Sequence, residues 1–322
     1  MLKWLLLIGI MLSCVPVFAQ VTDREEELRE RGGSVAGDAT FEEIVAHVAR
    51  LGTTDRERVI LLSGWFYKYM TLDVDKFLTG ETGGDYREML KNGKGICEDF
   101  AGLFRAFCDR LNIRNGRVEG YVQEEGMDRA TACKRINHVW NAVYVEGEWW
   151  HVDMLWAIGT LGKTATGEWV FTKRWNPAHV LTRRRDFLET HLPADPAWQL
   201  VDRPYSVEEF IEGALKETGS AGYYNYKDSI DAFMALPRDE QQMLFARRAN
   251  RFNPLNKEVM AVTFYNEGVF LLNYNRRTRA ILERVRDYFR IAREYARDLP
   301  DDARRVKESI DEGLRNVEAS IK

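Results

Sequence analysis

Three residues in this chain have the types and the setting for nucleophilic chemistry: Cys97, His138 and Asp153. Cys97 closes the glycine-broken stretch Asn92-Gly93-Lys94-Gly95-Ile96 and is followed by Phe100, Leu103, Phe104, Phe107 and Leu111 at helical spacing. That pattern predicts a helix beginning at or near Cys97, where free backbone N–H groups and the macrodipole stabilise a thiolate. Alone, such a thiol reads first as a small buried apolar residue. A nucleophile also needs a base, and the base needs a group to orient it.

Both are offered by the run from His138 to Val145 and the run from Glu148 to Asp153, which alternate like strands around Glu146-Gly147 and predict a hairpin. With a two-residue loop, His138 lies opposite Leu155 and Asp153 opposite Trp140. The two side chains then share a face as diagonal neighbours, about 5.5–8 Å apart between backbones. An odd-length loop would put them on opposite faces. His151 shares that face, opposite Ala142, and is the competing base; its other role would be cross-strand packing. His47, His179 and His191 have no carboxylate at a telling offset and read as structural. Glu98 and Asp99 suit the helix N-terminus better than chemistry.

The elements that must carry these residues are marked by capping signals. Thr40 to Glu43 and Thr54 to Glu57 each read as a capping box opening an amphipathic helix, and Ser206 to Glu209 as a third. Asn115-Gly116 marks a turn into a strand over Arg117 to Gln123. Beyond about residue 213 the pattern turns helical, with one apolar stripe from Ile281 to Leu299 and another from Val306 to Ile321. The arginines between 276 and 305 read as its solvated face; a grip on anionic cell-wall or lipid groups is the sharper alternative.

The chain has 322 residues, 45% hydrophobic and 12% aromatic, enough for a large core and against global disorder. A formal net charge of -4 gives no reason to expect nucleic acid. Lys3, the apolar run from Trp4 to Leu12 and Val17-Phe18-Ala19 form a signal-peptide pattern over residues 1–19. The run is too short for a membrane span, so a mature protein starting near Gln20 and exported from a bacterial-type cell, to periplasm or medium, is expected. Met11-Leu12-Ser13-Cys14 loosely resembles a lipobox, which would anchor the protein through Cys14 instead. Residues 20–39 read as a charged leader or linker, flexible or a short solvated helix. Of the cysteines left after cleavage, Cys97 is expected free, with Cys108 and Cys133 either paired or buried and reduced. No metal or cofactor is implied by the scattered histidines.

These strings together resemble the transglutaminase-like superfamily of the papain-like cysteine-enzyme fold. Gly93 to Cys97 with Phe100-Ala101-Gly102-Leu103-Phe104 is similar to its nucleophile helix. Asn137 to Val143 is similar to its histidine strand, and Trp149 to Asp153 with Trp156 to its aspartate strand. Trp65 and Asp73-Val74-Asp75-Lys76-Phe77 also fit, while Phe187 to Phe210 with Trp198-Gln199-Leu200 resembles the kyphoscoliosis-peptidase-type branch. The match covers about residues 41–212. Leu72, Met154-Leu155 and Ala157 depart from the family's usual residues and bear on the cleft rim. The resemblance implies an α+β fold with the nucleophile helix packed on an antiparallel sheet, a catalytic domain over 40–212 and an α-helical region over 213–322.

It further implies a cysteine peptidase or acyltransferase whose triad is Cys97, His138 and Asp153, with Trp65, Trp140 and Trp156 in the substrate or oxyanion vicinity. The expected reaction is hydrolysis of a peptide or isopeptide bond in a protein or peptide substrate, through a thioester. The alternatives are a transglutaminase joining glutamine to amines, and a non-catalytic protein-binding module on the same fold. The sequence leaves oligomeric state open.

Overall fold

The computed structural model of the protein describes residues 17–83, 85–123, 126–183, 185–213 and 215–321. The leader's Lys3, its apolar run and Cys14 lie outside the described residues. The chain divides after Met70 into two compact units.

The first unit contains three described helices, α1 (Val17–Gly32), α2 (Phe41–Leu51) and α3 (Asp55–Tyr69). Thr40 and Glu43 form the expected reciprocal cap: the Thr40 hydroxyl accepts from Glu43 N, and the Glu43 carboxylate accepts from Thr40 N. The second box is shifted by one residue. Thr54 accepts from Glu57 N, but the Glu57 carboxylate takes both the N–H (2.8 Å) and the hydroxyl (2.6 Å) of Thr53, which offers it two donors at once. The charged stretch after Gln20 is helical and packed rather than solvated. Its Leu28 is buried, and a Cβ on Gly32 would fall 1.9 Å from the Leu61 carbonyl oxygen, one on Gly64 1.8 Å from that of Arg29. Glycine is required at both positions for α1 and α3 to touch backbone to backbone.

The second unit begins with β1 (Thr71–Leu72), α4 (Val74–Thr79), α5 (Tyr86–Asn92) and β2 (Lys94–Gly95), β1 and β2 pairing in parallel. Then come α6 (Cys97–Arg110), β3 (Asn115–Val122), the short α7 (Arg129–Ala132), β4 (His138–Val145) and β5 (Glu148–Val152). After α8 (Met154–Ile158) a separate hairpin is formed by β6 (Gly159–Lys163) and β7 (Trp169–Lys173), followed by β8 (Val180–Thr182), α9 (Arg185–Leu188) and β9 (His191–Pro193). Five strands make the main antiparallel sheet in the order β8-β5-β4-β3-β9; among the described residues, β6 and β7 pair only with each other. The stem of that second hairpin is closed by backbone bonds from Arg174 N to Ile158 O (2.9 Å) and Asn176 N to Ala157 O (2.8 Å).

Helix α6 lies on one face of the main sheet, where Asn141 of β4 donates to the Ala101 carbonyl at 3.2 Å. The other face, carrying Trp140, Ala142 and Trp149, packs with Phe187, Trp198, Ile230 and Phe233. This is the α+β arrangement expected from the sequence. Cys108 and Cys133 are not joined by a disulfide and are fully buried, the second of the alternatives the sequence offered.

The remaining helices are α10 (Val207–Glu212), α11 (Tyr226–Met234), α12 (Arg238–Phe252), α13 (Val259–Tyr274), α14 (Arg279–Ala296) and α15 (Arg304–Ile321). Both apolar stripes read from the sequence are buried, through Leu282, Val285 and Phe289 on α14 and Ile310, Leu314 and Val317 on α15. Several arginines of the expected solvated face are ion-paired, Arg284 with Asp239 and Arg290 with Glu318 among them. The Phe289 ring lies between two glycines: a Cβ on Gly268 would come within 2.4 Å of it, and one on Gly313 within 3.0 Å. Gly268→Ala is therefore expected to cost about 1–3 kcal/mol by overpacking. Urea unfolding of that variant, with Gly268→Ala/Phe289→Leu recovering part of the loss, checks this.

Candidate active site

Cys97 is the first residue of α6, and its position is fixed by charged residues flanking that turn. The buried Asp99 carboxylate accepts from Ile96 N at 2.9 Å and from Lys76 Nζ at 2.8 Å. Gly95 is needed here, since a Cβ would meet the Asp99 side chain at 2.6 Å. Glu98 turns to the preceding loop and accepts from Gly83 N at 2.6 Å. Both acidic residues thus tie down the helix start, as their position at an N-terminus suggests. Cys97 itself is half-buried.

The Glu146-Gly147 loop is the two-residue turn the sequence predicted, both residues having positive φ (55° and 81°). It sets the register Asn141 opposite Val152 and Ala142 opposite His151. The strand does not continue as far as expected. β5 stops at Val152, and Asp153 instead caps α8, its Oδ1 accepting from Trp156 N at 3.0 Å. An aspartate that can satisfy a free helix N–H ends the strand in favour of the helix. Its other oxygen, Oδ2, remains free to face His138.

His138 starts β4, held in place by Asn137, whose amide bonds both Val122 N (2.9 Å) and Val122 O (2.8 Å) on the neighbouring strand. His138 Nε2 lies 2.6 Å from Asp153 Oδ2, both groups buried. Cys97 opens with the same imidazole into one cavity, and the thiol acts with Asp153 to raise it. With Nε2 engaged by the carboxylate, Nδ1 is the nitrogen left for the thiol. Burial opposes a charge on His138, but the Asp153 carboxylate outweighs it and lifts the imidazole to about 10. Burial would likewise push the Asp153 carboxyl up, yet His138 and a second histidine hold it well below the usual carboxylate range.

That second histidine is His191, on β9. Its Nε2 lies 3.2 Å from the same Asp153 Oδ2, and its Nδ1 is 2.7 Å from the Thr190 hydroxyl. Burial holds His191 down to about 3, so it is neutral, with Nε2–H donating to Asp153; the Thr190 hydroxyl lies between Nδ1 and the Phe187 carbonyl, 3.0 Å from the latter. The sequence offers no local signal for this contact, because only the pairing of β9 with β3 brings residue 191 to residue 153. The ring stacks on Phe187 at 4.2 Å. His191→Phe preserves that stack and removes one hydrogen bond to a charged group, a loss of about 1.5–3 kcal/mol in a urea titration. His138, Asp153 and His191 have ligand-type atoms within 4.8 Å of one another. Both nitrogens converge on one carboxylate oxygen at hydrogen-bond distance, so the three atoms face each other rather than a space between them.

His151, the competing base, is buried against Phe187 and accepts from Trp140 Nε1 at 3.1 Å; burial holds it down to about 3. Trp140 is enclosed with it, its ring stacked 5.9 Å from His138. Trp156 lies over His138 at 5.8 Å and lines the cavity into which Cys97 and His138 open. Trp65 is buried within the first unit beside Phe66 and Tyr69. Leu72 and Leu155, two of the departures noted in the sequence, also line the cavity.

Residues 42–154 match the family model described as the transglutaminase-like superfamily. Over that stretch the chain is similar to a transglutaminase-like domain. Kyphoscoliosis peptidase of Homo sapiens is 29% identical over 187 residues, 58% of this chain and 28% of its own length. Hillarin of Drosophila melanogaster is 25% identical over 186 residues, 53% of this chain and 22% of its own. The chain thus spans less than a third of the length of these curated relatives. A solved structure titled as that of a TGase aligns over 54% of this chain and 40% of its own at 14% identity, with a TM-score of 0.28, too loose a superposition to argue from. The matched segment holds Cys97, His138 and Asp153; His191 lies beyond it.

Proposed function

We propose that the protein is an exported cysteine acyl-transfer enzyme that hydrolyses peptide or isopeptide bonds. The observation that carries this reading is one imidazole, His138, bonded to a buried carboxylate through Nε2 and opening into the same cavity as a half-exposed thiol at a helix start. His138 Nδ1 takes the Cys97 proton, and the thiolate attacks the carbonyl carbon. The Cys97 N–H, in the first turn where backbone donors lack partners inside the helix, meets the developing oxyanion. His138 then returns the proton to the departing amine. Water, deprotonated by His138, opens the thioester and restores the thiol. Asp153 orients His138, and His191 positions Asp153.

Hydrolysis is favoured over amine transfer by the lack of a D-x-[DN]-x-[DN]-G calcium loop in the sequence. Digestion of a peptide library with a primary amine present separates the outcomes. Cys97-dependent cleavage products support the proposal, mass shifts on glutamine replace it with transglutamination, and neither leaves a binding module. Because Cys108 and Cys133 are fully buried, with burial pushing Cys133 up to about 12, iodoacetamide is expected to label one thiol rapidly near neutral pH. Tryptic mass mapping should place it at Cys97, and His138→Ala should slow it. The leader pattern over residues 1–19 supports export; a protein recovered with Met1 intact would overturn that, and acylation at Cys14 would make it a lipoprotein.

A further inference from the structure

The cavity into which Cys97 and His138 open has a volume of about 170 Å³. Its walls are apolar: Leu72 and Leu155 from the first strand and α8, Trp156 beside His138, and Leu161, Trp169 and Phe171 from the β6–β7 hairpin. Leu161 and Phe171 are paired across that hairpin, so they share a face with Trp169, two residues along. The Phe171 ring closes against Gly159, where a Cβ would stand 2.5 Å from it. No Asp, Glu, Lys or Arg is among the described residues lining the cavity.

The amide side chains at its edge are already committed. Asn137 spends both ends of its amide on Val122, and Gln123 donates to Met127 O and accepts from Arg129. Apart from His138, the cavity therefore offers shape and apolar surface, and no charged partner. Leu78, next to the cavity-lining Phe77, is 51% exposed. An apolar cavity of about 150 Å³ takes up one benzene molecule, so this one matches a single large side chain.

We propose that this cavity is a subsite for one large apolar side chain, aromatic or branched aliphatic, next to the carbonyl that Cys97 attacks. The enzyme then selects peptides presenting such a residue at the cleavage position. The assignment rests on the reading of Cys97 as nucleophile. The test keeps the two apart.

Peptidyl chloromethyl ketones label a thiol by losing chloride as the S–C bond forms. The full chain is treated with five such probes that differ only in the residue beside the ketone: Phe, Leu, Ala, Asp and Lys. Intact-mass rates of Cys97 labelling are compared. Burial of a Phe or Leu side chain predicts labelling about ten- to a hundredfold faster than with the Ala, Asp or Lys probe. Phe171→Ala should lower the Phe-to-Ala ratio. Leu161→Asp should raise the Lys-to-Phe ratio, a gain that misfolding cannot produce. The ratio tests the subsite, because binding speeds the labelling of even an unactivated thiol. The dependence of the iodoacetamide rate on His138 tests the nucleophile separately. Equal rates across the five probes, or a preference for a charged one, overturn the subsite whatever the iodoacetamide rate.

Discussion

Under the proposed reaction, Asp153→Asn is expected to lower kcat for peptide hydrolysis by about three to four orders of magnitude with little change in KM. The direction follows from how the carboxylate is held. Trp156 N–H donates to Oδ1, so an asparagine keeps its carbonyl oxygen there and presents its NH2 where Oδ2 now accepts from His138 and His191. An NH2 facing His138 Nε2 favours the tautomer with its proton on Nδ1, which then has no lone pair for the Cys97 proton. With the carboxylate gone, burial alone acts on the imidazole, and burial disfavours its charged form. The iodoacetamide rate of the wild type should exceed that of Asp153→Asn near neutral pH, because the carboxylate raises His138 and so favours transfer of the Cys97 proton to it. Activity within tenfold of the wild type would remove Asp153 from the mechanism.

His138→Leu should be the most destabilising single change at the site, costing about 3–5 kcal/mol, because it removes the counter-charge of a buried carboxylate and leaves it only neutral donors, His191 and the Trp156 N–H. The loss is pH-dependent, with a sign set by both partners. His138 is raised, so its contribution is complete below the ordinary histidine value of about 6.5 and fades as pH climbs toward about 10. Asp153 is lowered, so its contribution is complete above the ordinary carboxylate value of about 4 and is lost as pH falls below it. The gap between wild type and variant should be widest between about pH 4 and 6.5 and narrow on either side. Urea titrations at pH 3, 5.5 and 9 measure it. A gap that widens toward pH 9 would contradict the ion pair.

The short-range part of the site is legible in the sequence. Glu146-Gly147 fixes a two-residue turn, and the turn fixes the register, so the approach of residues 138 and 153 follows from the residue types and their spacing alone. The manner of their meeting does not. The run from Glu148 reads as strand through Asp153, whereas Asp153 can cap the turn that follows, and capping wins. The apolar stripe after Cys97 announces α6, because burial along a helix leaves a period. His191 leaves no such trace: its contact with Asp153 spans 38 residues and depends on a strand pairing that no local pattern encodes. Leu72 and Leu155 stand out as unusual residues, and both line the cavity. Its far wall, over Gly159 to Lys173, carries no motif and is visible only as a folded surface.

The β6–β7 hairpin leaves the chain at Ile158 and rejoins it at Arg174, with its two ends hydrogen-bonded to each other and, among the described residues, none of its strands joined to the main sheet. It is therefore an exchangeable cassette. A lineage could vary Leu161, Trp169 and Phe171, or lengthen the tip around Gly167, while Asp153, His138 and the strands beneath them stay under separate constraint. Under the subsite assignment, diet and chemistry would evolve on different segments of the chain. Grafting only residues 159–173 between homologues should then carry substrate choice with it and leave the thiol chemistry behind.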